Sequence, residues 1–287
     1  YKFNRFLYIN NDNADEAKKT AQMLSLVMGK AIEREYIEID GEFMAKGDAG
    51  VTATNTGNAT FDLSATGYDF SGATKVLCNG EAVTLAGKTS TSVTVKDAPA
   101  GKQVYTIVTP EADYVINGFV YNRGISTKDE FIAWQAEAAT GKAGTGYTVL
   151  LDDIDLGGAT LAELADYFRG TFDGMGHTVS NFTYTMGFVR MYASVVKNVQ
   201  FTKAVQDCSF AGTGAVLYGF FWNNLRGRVE NVKISVTTKN VGNIHRAVIA
   251  CVLNNGNTAG VAGVLQNVVA EVTPEIGFEH YAYQEQA

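Results

Sequence analysis

The stretch FRGTFDGMGHTVSNFTYTMGFVRMYASVVKNVQFT, from Phe168 to Thr202, decides the fold predicted for this chain of 287 residues. Its two strand-like segments share one pattern, in which branched residues alternate with spacers around an asparagine, first Asn181 and then Asn198. The pattern returns around Asn231 and Asn267, so the four asparagines are separated by 17, 33 and 36 residues. Repeated strand segments at such a spacing, without helical periodicity, indicate the stacked turns of a solenoid.

In a solenoid of this kind, alternate residues of each strand point into a shared core and the asparagines lie at the bend after each strand. We expect the amides of Asn181, Asn198, Asn231 and Asn267 to bond each other and the adjacent turns, as a structural asparagine ladder. The glycines of the quoted stretch, Gly170, Gly174 and Gly176, would supply positive φ in a crowded corner. The predicted core residues are Val179, Phe182, Val196, Val199, Phe201, Val229, Val232, Ile234, Val268 and Val272.

The segments before and after the solenoid have their own patterns. Residues 1–34 predict a strand and an amphipathic helix over 14–33, which either packs on a core or binds a partner. Short alternating strands in 35–119, with a hairpin turn at Asn79-Gly80, predict an immunoglobulin-like β-sandwich. Residues 120–146 predict a linker and a capping helix that begins at Ser126 or Thr127. The parallel β-helix then occupies 147–273, and residues 274–287 form a tail or second cap.

Four segments in order resemble the opening of a parallel β-helix module from bacterial cell-surface and secreted proteins, some of which carry GLUG-type repeats. They are Ile125–Phe131, Tyr147–Leu151, Asp153–Gly157 and Phe168–Asn181. The resemblance covers about 125–273, and the run FxGTFDGxGHTVxN is its most specific part. After Ser194 the chain departs from the family, because the Gly-Leu-small repeat is blurred. The resemblance implies a mainly β protein whose β-helix is right-handed and short, at the cell surface or outside the cell.

Composition excludes several classes of function. A net charge of −7, a sequence pI near 5.1 and the absence of any basic run argue against a nucleic-acid partner. Three cysteines without metal-ligand spacing indicate neither a zinc site nor a disulfide framework, and no motif implies a cofactor. No apolar run is long enough for a transmembrane helix. No signal peptide is recognisable, and what precedes Tyr1, whether a leader, a lipid anchor or more chain, stays open.

Catalysis by a polysaccharide lyase or hydrolase would need grouped carboxylates on one face of the β-helix. Between Met175 and Pro274 the acids are Asp207, Glu230 and Glu271, and they share no repeating register. His177 has Asp173 as its near acid in sequence, and we expect the histidine to pack or bond within its turn. The sequence therefore predicts no catalytic residues.

A small acidic cluster precedes Gly157-Gly158. Oxygen-rich loops of this kind can hold calcium, so Asp152, Asp153 and Asp155 are weak metal-ligand candidates. Aspartates also bond the backbone of turns routinely, and that interpretation is preferred because a full set of six ligands is not evident. No metal is therefore predicted.

The most aromatic segment of the chain is Tyr218–Asn224. Exposed aromatic faces rimmed by amides bind sugars, so the ligand-binding candidates are Tyr218, Phe221, Trp222, Asn223 and Asn224. Strand alternation predicts that either Phe220 and Trp222 or Phe221 points outward, while the rest fills or covers the core.

These observations lead to a non-enzymatic, adhesin-like protein of the cell surface or the extracellular space, which binds glycans or the surface of a host or neighbouring cell. One alternative is a structural component of a fibre or phage virion, where short β-helices and sandwiches recur. A second is an atypical polysaccharide lyase or hydrolase. A glycan or a surface protein is the expected partner, and the oligomeric state stays open.

Overall fold

The computed structural model describes residues 35–48, 57–207, 219–222, 224–239, 252–253 and 260–274. These residues are mainly β. The predicted helix over 14–33 and the tail after Pro274 lie outside them. No helix in the described ranges is long and apolar enough to cross a bilayer.

Chain contacts divide the molecule into two compact units, one of Tyr1–Ala45 with Asn58–Val120 and the other of Lys46–Gly57 with Tyr121–Ala287. The chain passes from the first unit to the second between Val120 and Tyr121. The segment 120–146, predicted as a linker with a capping helix, lies almost entirely in the second unit and contributes a strand to its sheet.

The first unit consists of two sheets over one core, and its paired strands between residues 59 and 121 run antiparallel. Its strands are β1 (Glu35–Lys46), β2 (Ala59–Asp62), β3 (Lys75–Cys78), β4 (Glu81–Val83), β5 (Leu85–Lys88), β6 (Ser92–Val95), β7 (Gly101–Val108) and β8 (Ala112–Tyr121). One sheet has the order β1-β8-β7-β3-β4 and the other β2-β6-β5. Phe61 of one sheet and Tyr105 of the other have ring centroids 4.8 Å apart, and both are buried.

The hairpin turn predicted at Asn79-Gly80 is confirmed. Cys78 pairs with Glu81 across it, and the two turn residues have φ of 49° and 88°. Two successive positive φ values match the right-handed twist of the flanking strands, and asparagine followed by glycine tolerates them best.

The second unit is built from parallel strands. They are β9 (Arg123–Ile125), β10 (Tyr147–Leu150), β11 (Ile154–Thr160), β12 (Thr171–Asp173), β13 (Thr178–Tyr184), β14 (Tyr192–Asp207), β15 (Asn224–Lys239), β16 (Val252–Leu253) and β17 (Val264–Pro274), with helix α1 (Lys128–Ala139) after β9. One series of parallel pairs runs β9-β10-β12 and ends on the first half of β14. A second series runs β11-β13 and ends on the second half of β14. β15 then pairs with the whole of β14, and β17 with β15.

Each long strand turns a corner at a residue with left-handed backbone. In β14, Val195–Lys197 pairs with β12 while Gln200–Gln206 pairs with β13, and between these parts Asn198 has φ of 52°. Asn231 and Asn267 repeat the conformation in β15 and β17, with φ of 53° and 52°. Asparagine is the non-glycine residue that visits this region most readily, so the repeated asparagines mark the corners.

Helix α1 begins with a reciprocal cap. The Thr127 hydroxyl accepts a hydrogen bond from the Glu130 backbone N–H, and the Glu130 carboxylate accepts from the Thr127 N–H. This confirms the predicted helix start. The buried face of the helix packs on the core of the parallel strands, where the rings of Trp134 and Phe172 stack with centroids 4.4 Å apart.

Gly170, Gly174 and Gly176 of the stretch Phe168–Thr202 are required for two different reasons. The prediction of positive φ at all three is therefore wrong. Only Gly176 has positive φ, at 90°. An added Cβ on Gly174 would lie 2.4 Å from Val199 Cβ, and one on Gly170 would lie 2.6 Å from the Gly146 carbonyl. Gly170 and Gly174 are therefore required for close approach of neighbouring chain segments.

The predicted core is confirmed for the residues of β13, β14 and β15, which are all buried. Val268 and Val272 are only partly buried, because β17 is the outermost of the described parallel strands.

Candidate functional site

The corner asparagines of β14, β15 and β17 form a continuous row of hydrogen bonds. Asn267 Nδ2 donates to Asn231 Oδ1 at 3.0 Å, and Asn231 Nδ2 donates to Asn198 Oδ1 at 3.0 Å. Asn198 Nδ2 in turn donates to Asp173 Oδ1 at 3.0 Å. The carboxylate of Asp173 is buried, and its Oδ2 accepts from the Tyr147 hydroxyl at 2.7 Å.

Asn181 belongs to a different row, which corrects the predicted ladder of four. It lies at a second corner, opposite Lys203 of β14, and both residues have left-handed backbone. Its amide donates to Asp155 Oδ1 at 3.1 Å, and Asp155 lies on β11, which pairs with the strand of Asn181. The spacing of 17 residues between Asn181 and Asn198 therefore separates two corners of the chain and is not a repeat.

The carboxylates of Asp153 and Asp155 in the acidic cluster accept hydrogen bonds from neighbouring groups of the protein. Asp153 Oδ1 accepts from the Thr178 N–H at 2.8 Å and lies 3.2 Å from His177 Nδ1, so the acid partner of His177 is Asp153 and not Asp173. These contacts, the backbone N–H first, lower the pKa of Asp153. The Gly157 N–H and the Asn181 amide lower the pKa of Asp155 in the same way.

Side chains suited to metal binding do not gather in the described ranges. No group of three His, Cys, Asp or Glu residues there is close enough to hold an ion. Asp152, the remaining candidate of the acidic cluster, is exposed at a bend.

The three acids of the later strands each face a cation. Asp207 lies 3.4 Å from Lys239, Glu271 lies 3.4 Å from Lys233, and Glu230 pairs with Arg228. The Ser235 hydroxyl and Lys233 lower the pKa of Glu271.

The aromatic segment forms a tight turn, so the alternation predicted for it is wrong. Gly219 and Trp222 exchange two backbone hydrogen bonds, at 3.1 and 2.9 Å. Phe220 and Phe221 are both fully buried, which removes Phe221 from the ligand-binding candidates. Tyr218, Asn223 and the side chain of Asn224 lie outside what the structure describes.

Trp222 remains partly exposed, and it lies in an aromatic cluster with an arginine at its centre. The Arg190 guanidinium carbon is 3.8 Å from the Trp222 ring centroid and 3.9 Å from that of Tyr167. The two rings are nearly perpendicular, at 83°, so the guanidinium lies in the angle between them. Arg190 Nη2 also donates to the Tyr167 hydroxyl at 2.7 Å.

Strand register extends this cluster into a face of alternating cations and rings. Phe168 and Met191 are bridged in parallel and both are buried, so their chain neighbours point to the opposite side. Tyr167 thus lies beside Arg190, and Arg169 lies beside Tyr192, with its guanidinium carbon 5.7 Å from that ring. Tyr192 then pairs in register with Arg226 of β15. We name Tyr167, Arg169, Arg190, Tyr192, Trp222 and Arg226 the arginine–aromatic face.

Of this face, sequence reasoning found only Trp222. A signal for the rest was present, because Tyr167-Phe168-Arg169 and Arg190-Met191-Tyr192 each place an apolar residue between a ring and a cation. Two such triplets in opposite order form complementary pairs only when the strands lie in register, and that register becomes visible in the fold.

Comparisons with protein-family models, with curated proteins and with solved structures found no match for the chain.

Proposed function

We propose that the second unit is a short right-handed parallel β-helix and the first an immunoglobulin-like sandwich. The strands of the second unit are parallel and their corners recur at Asn198, Asn231 and Asn267, which supports the β-helix. Two sheets over a shared core, in which β2 to β8 pair antiparallel, support the sandwich.

We further propose that the protein is a non-enzymatic, adhesin-like protein of the bacterial surface or the extracellular space, and that it binds glycan through the arginine–aromatic face. The observation that carries this proposal is the partly exposed indole of Trp222, held beside Tyr167 by Arg190. Flat apolar rings with polar donors at their rims match the apolar faces and hydroxyl groups of pyranose sugars.

The backbone at Trp222 also supports a binding role. Its φ of 63° is unusual for a bulky residue and costs on the order of 1–3 kcal/mol. The turn is held in place because its backbone packs against Gly187, where an added Cβ would lie 3.0 Å from Trp222 N. Such strain is commonly found at ligand sites, where the surrounding structure fixes a side chain in position.

The carboxylates of Asp207, Glu230 and Glu271 each form an ion pair, and this supports the non-enzymatic assignment. A glycosidase acid needs a raised pKa, whereas Ser235 and Lys233 lower the pKa of Glu271. Glu230 is likewise engaged by Arg228.

A glycan-array screen of the purified chain, with its solution mass recorded, tests the function. Trp222→Ala is compared with Tyr36→Ala, a matched control because Tyr36 is an exposed aromatic residue of the first unit. We expect selective binding that Trp222→Ala reduces at least about tenfold and Tyr36→Ala leaves unchanged. Absence of binding by a folded monomer would contradict the proposal, and absence of binding by a defined oligomer would favour a fibre component.

A further inference from the structure

Positive charge is concentrated on the arginine–aromatic face, although the whole chain carries a net charge of −7. Its three guanidinium groups contact a single carboxylate among the described residues, that of Asp166, which lies 3.9 Å from Arg169. Both partners are about half exposed, so this ion pair neutralises Arg169 only weakly. Arg190 and Arg226 form no ion pair with any described residue.

We propose that the ligand of this face is an acidic saccharide, whose carboxylate or sulfate groups bind Arg169, Arg190 and Arg226 while its sugar rings contact the aromatic side chains. This inference rests on the proposed glycan-binding function and specifies the chemical class of the ligand.

Desolvation of the arginines favours an anionic ligand. Nε of Arg190 and Nε of Arg226 are covered by surrounding atoms and make no hydrogen bond within the described part of the chain. A guanidinium that has lost water without gaining a counter-ion is destabilised, and an anion beside it offsets that cost. A neutral sugar supplies hydroxyl acceptors but no compensating charge.

The arginines are also held in position before any ligand arrives. The Tyr167 ring lies within 6.0 Å of all three guanidinium carbons. Cation–π contacts of this kind contribute about 0.5–2 kcal/mol each. They also restrict the arginine rotamers in the free protein, so less side-chain entropy is lost when a ligand binds. Planar guanidinium groups fixed in this way present paired N–H donors that match the oxygens of a carboxylate or sulfate.

Size and pattern distinguish a saccharide from a nucleic acid. The face crosses three neighbouring chain segments, about 10 Å at the usual strand separation, which suits a short oligosaccharide. Single-stranded nucleic acid also combines rings and phosphates, but its binding proteins provide a long positive groove. The sequence contains no such basic tract, and its overall charge would repel a polyanion beyond the face.

The test uses titration calorimetry of the whole chain with four probes. They are a tetrasaccharide of uronic acids, its carboxyl-reduced neutral counterpart, a sulfated tetrasaccharide, and a single-stranded oligonucleotide of four phosphates. The key variant is Arg226→Gln, and the matched control is Arg228→Gln. Both substitutions remove one positive charge from β15, but Arg228 is already paired with Glu230.

We expect an acidic tetrasaccharide to bind at least about tenfold more tightly than the neutral one, and its affinity to fall at higher salt. Arg226→Gln should reduce that affinity about tenfold, while Arg228→Gln changes it little. The relative affinities of the uronic and sulfated probes identify which anionic group the face prefers.

Three results would overturn the inference, and they separate it from the proposed function. Equal binding of acidic and neutral probes, lost in Trp222→Ala but kept in Arg226→Gln, would refute acidic selectivity and retain glycan binding. Tighter binding of the oligonucleotide than of either acidic sugar would refute the saccharide class. No binding of any probe by the folded chain would contradict both proposals.

Discussion

Replacement of Asn231 tests whether the row of corner asparagines stabilises the parallel unit. Asn231 lies in the middle of the row, where it donates one hydrogen bond to Asn198 and accepts one from Asn267, each at 3.0 Å. It also has φ of 53°, which alanine tolerates poorly and glycine tolerates well. Alanine and glycine at this position therefore separate the hydrogen bonds from the backbone strain.

The expected cost follows from these two contributions. Loss of two hydrogen bonds costs about 1–3 kcal/mol in total, at about 0.5–1.5 kcal/mol each. An alanine in left-handed conformation adds about 1–2 kcal/mol, which glycine does not incur. We expect Asn231→Ala to lower the free energy of unfolding by about 2–5 kcal/mol, and Asn231→Gly to lower it by about 1–2 kcal/mol less.

Urea unfolding followed by tryptophan fluorescence is the appropriate assay. Both tryptophans of the chain, Trp134 and Trp222, belong to the second unit, so the signal reports that unit alone. Ala193→Gly is the control, because Ala193 is exposed and has φ of 51°, and glycine there should not destabilise. If Asn231→Gly destabilises as much as Asn231→Ala, the backbone argument is wrong. If both cost less than about 0.5 kcal/mol, the row contributes no stability.

Three further predictions can be checked in the same assay. Thr127→Ala removes the helix cap and should cost about 1 kcal/mol, whereas a change below the error of the measurement would contradict the capping role. Gly174→Ala should cost more than Gly176→Ala, because a Cβ at Gly174 meets fixed neighbours while one at Gly176 meets nothing and only strains the backbone; the reverse order would be inconsistent with this packing. A backbone N–H and the His177 ring lower the pKa of Asp153, so its carboxylate stabilises the fold above the ordinary carboxyl pKa, and this contribution is lost as pH falls through the lowered value. Asp153→Asn should therefore flatten the loss of stability below about pH 4, and an unchanged pH profile would argue against a role for Asp153.

Local patterns predicted much of the fold because their physical causes are local. Asn79-Gly80 specifies its own turn through two residues that tolerate positive φ, and Thr127 with Glu130 specifies a helix start through reciprocal hydrogen bonds. Alternation placed the core residues of β13, β14 and β15 correctly because every second side chain of a strand shares one face. Pairing partners depend on register between distant segments, so Asn181 was assigned to the row of Asn198 although it pairs opposite Lys203.

Much less of the candidate site followed from the sequence. Alternation failed at Phe220 and Phe221 because the chain there forms a turn, in which successive side chains no longer point to opposite faces. The partners of Trp222 lie far from it in sequence, at Tyr167 and Arg190, and only parallel stacking of the strands brings them together. The contact of His177 with Asp153 was not predicted for the same reason, since Asp153 lies on a neighbouring segment.

In the row of corner asparagines that ends at Asp173, every hydrogen bond is donated toward Asp173. This common direction limits how the protein could be lengthened or shortened. Asn198 and Asn231 each donate one hydrogen bond and accept another, so one more asparagine-bearing strand could be inserted after Asn198 and join the row at both ends. An ionised carboxylate only accepts, so the aspartate can terminate such a row but cannot extend it. Duplication of an internal strand would therefore yield a longer protein with every corner bond retained, whereas duplication of the segment that carries Asp173 would place two acceptors face to face.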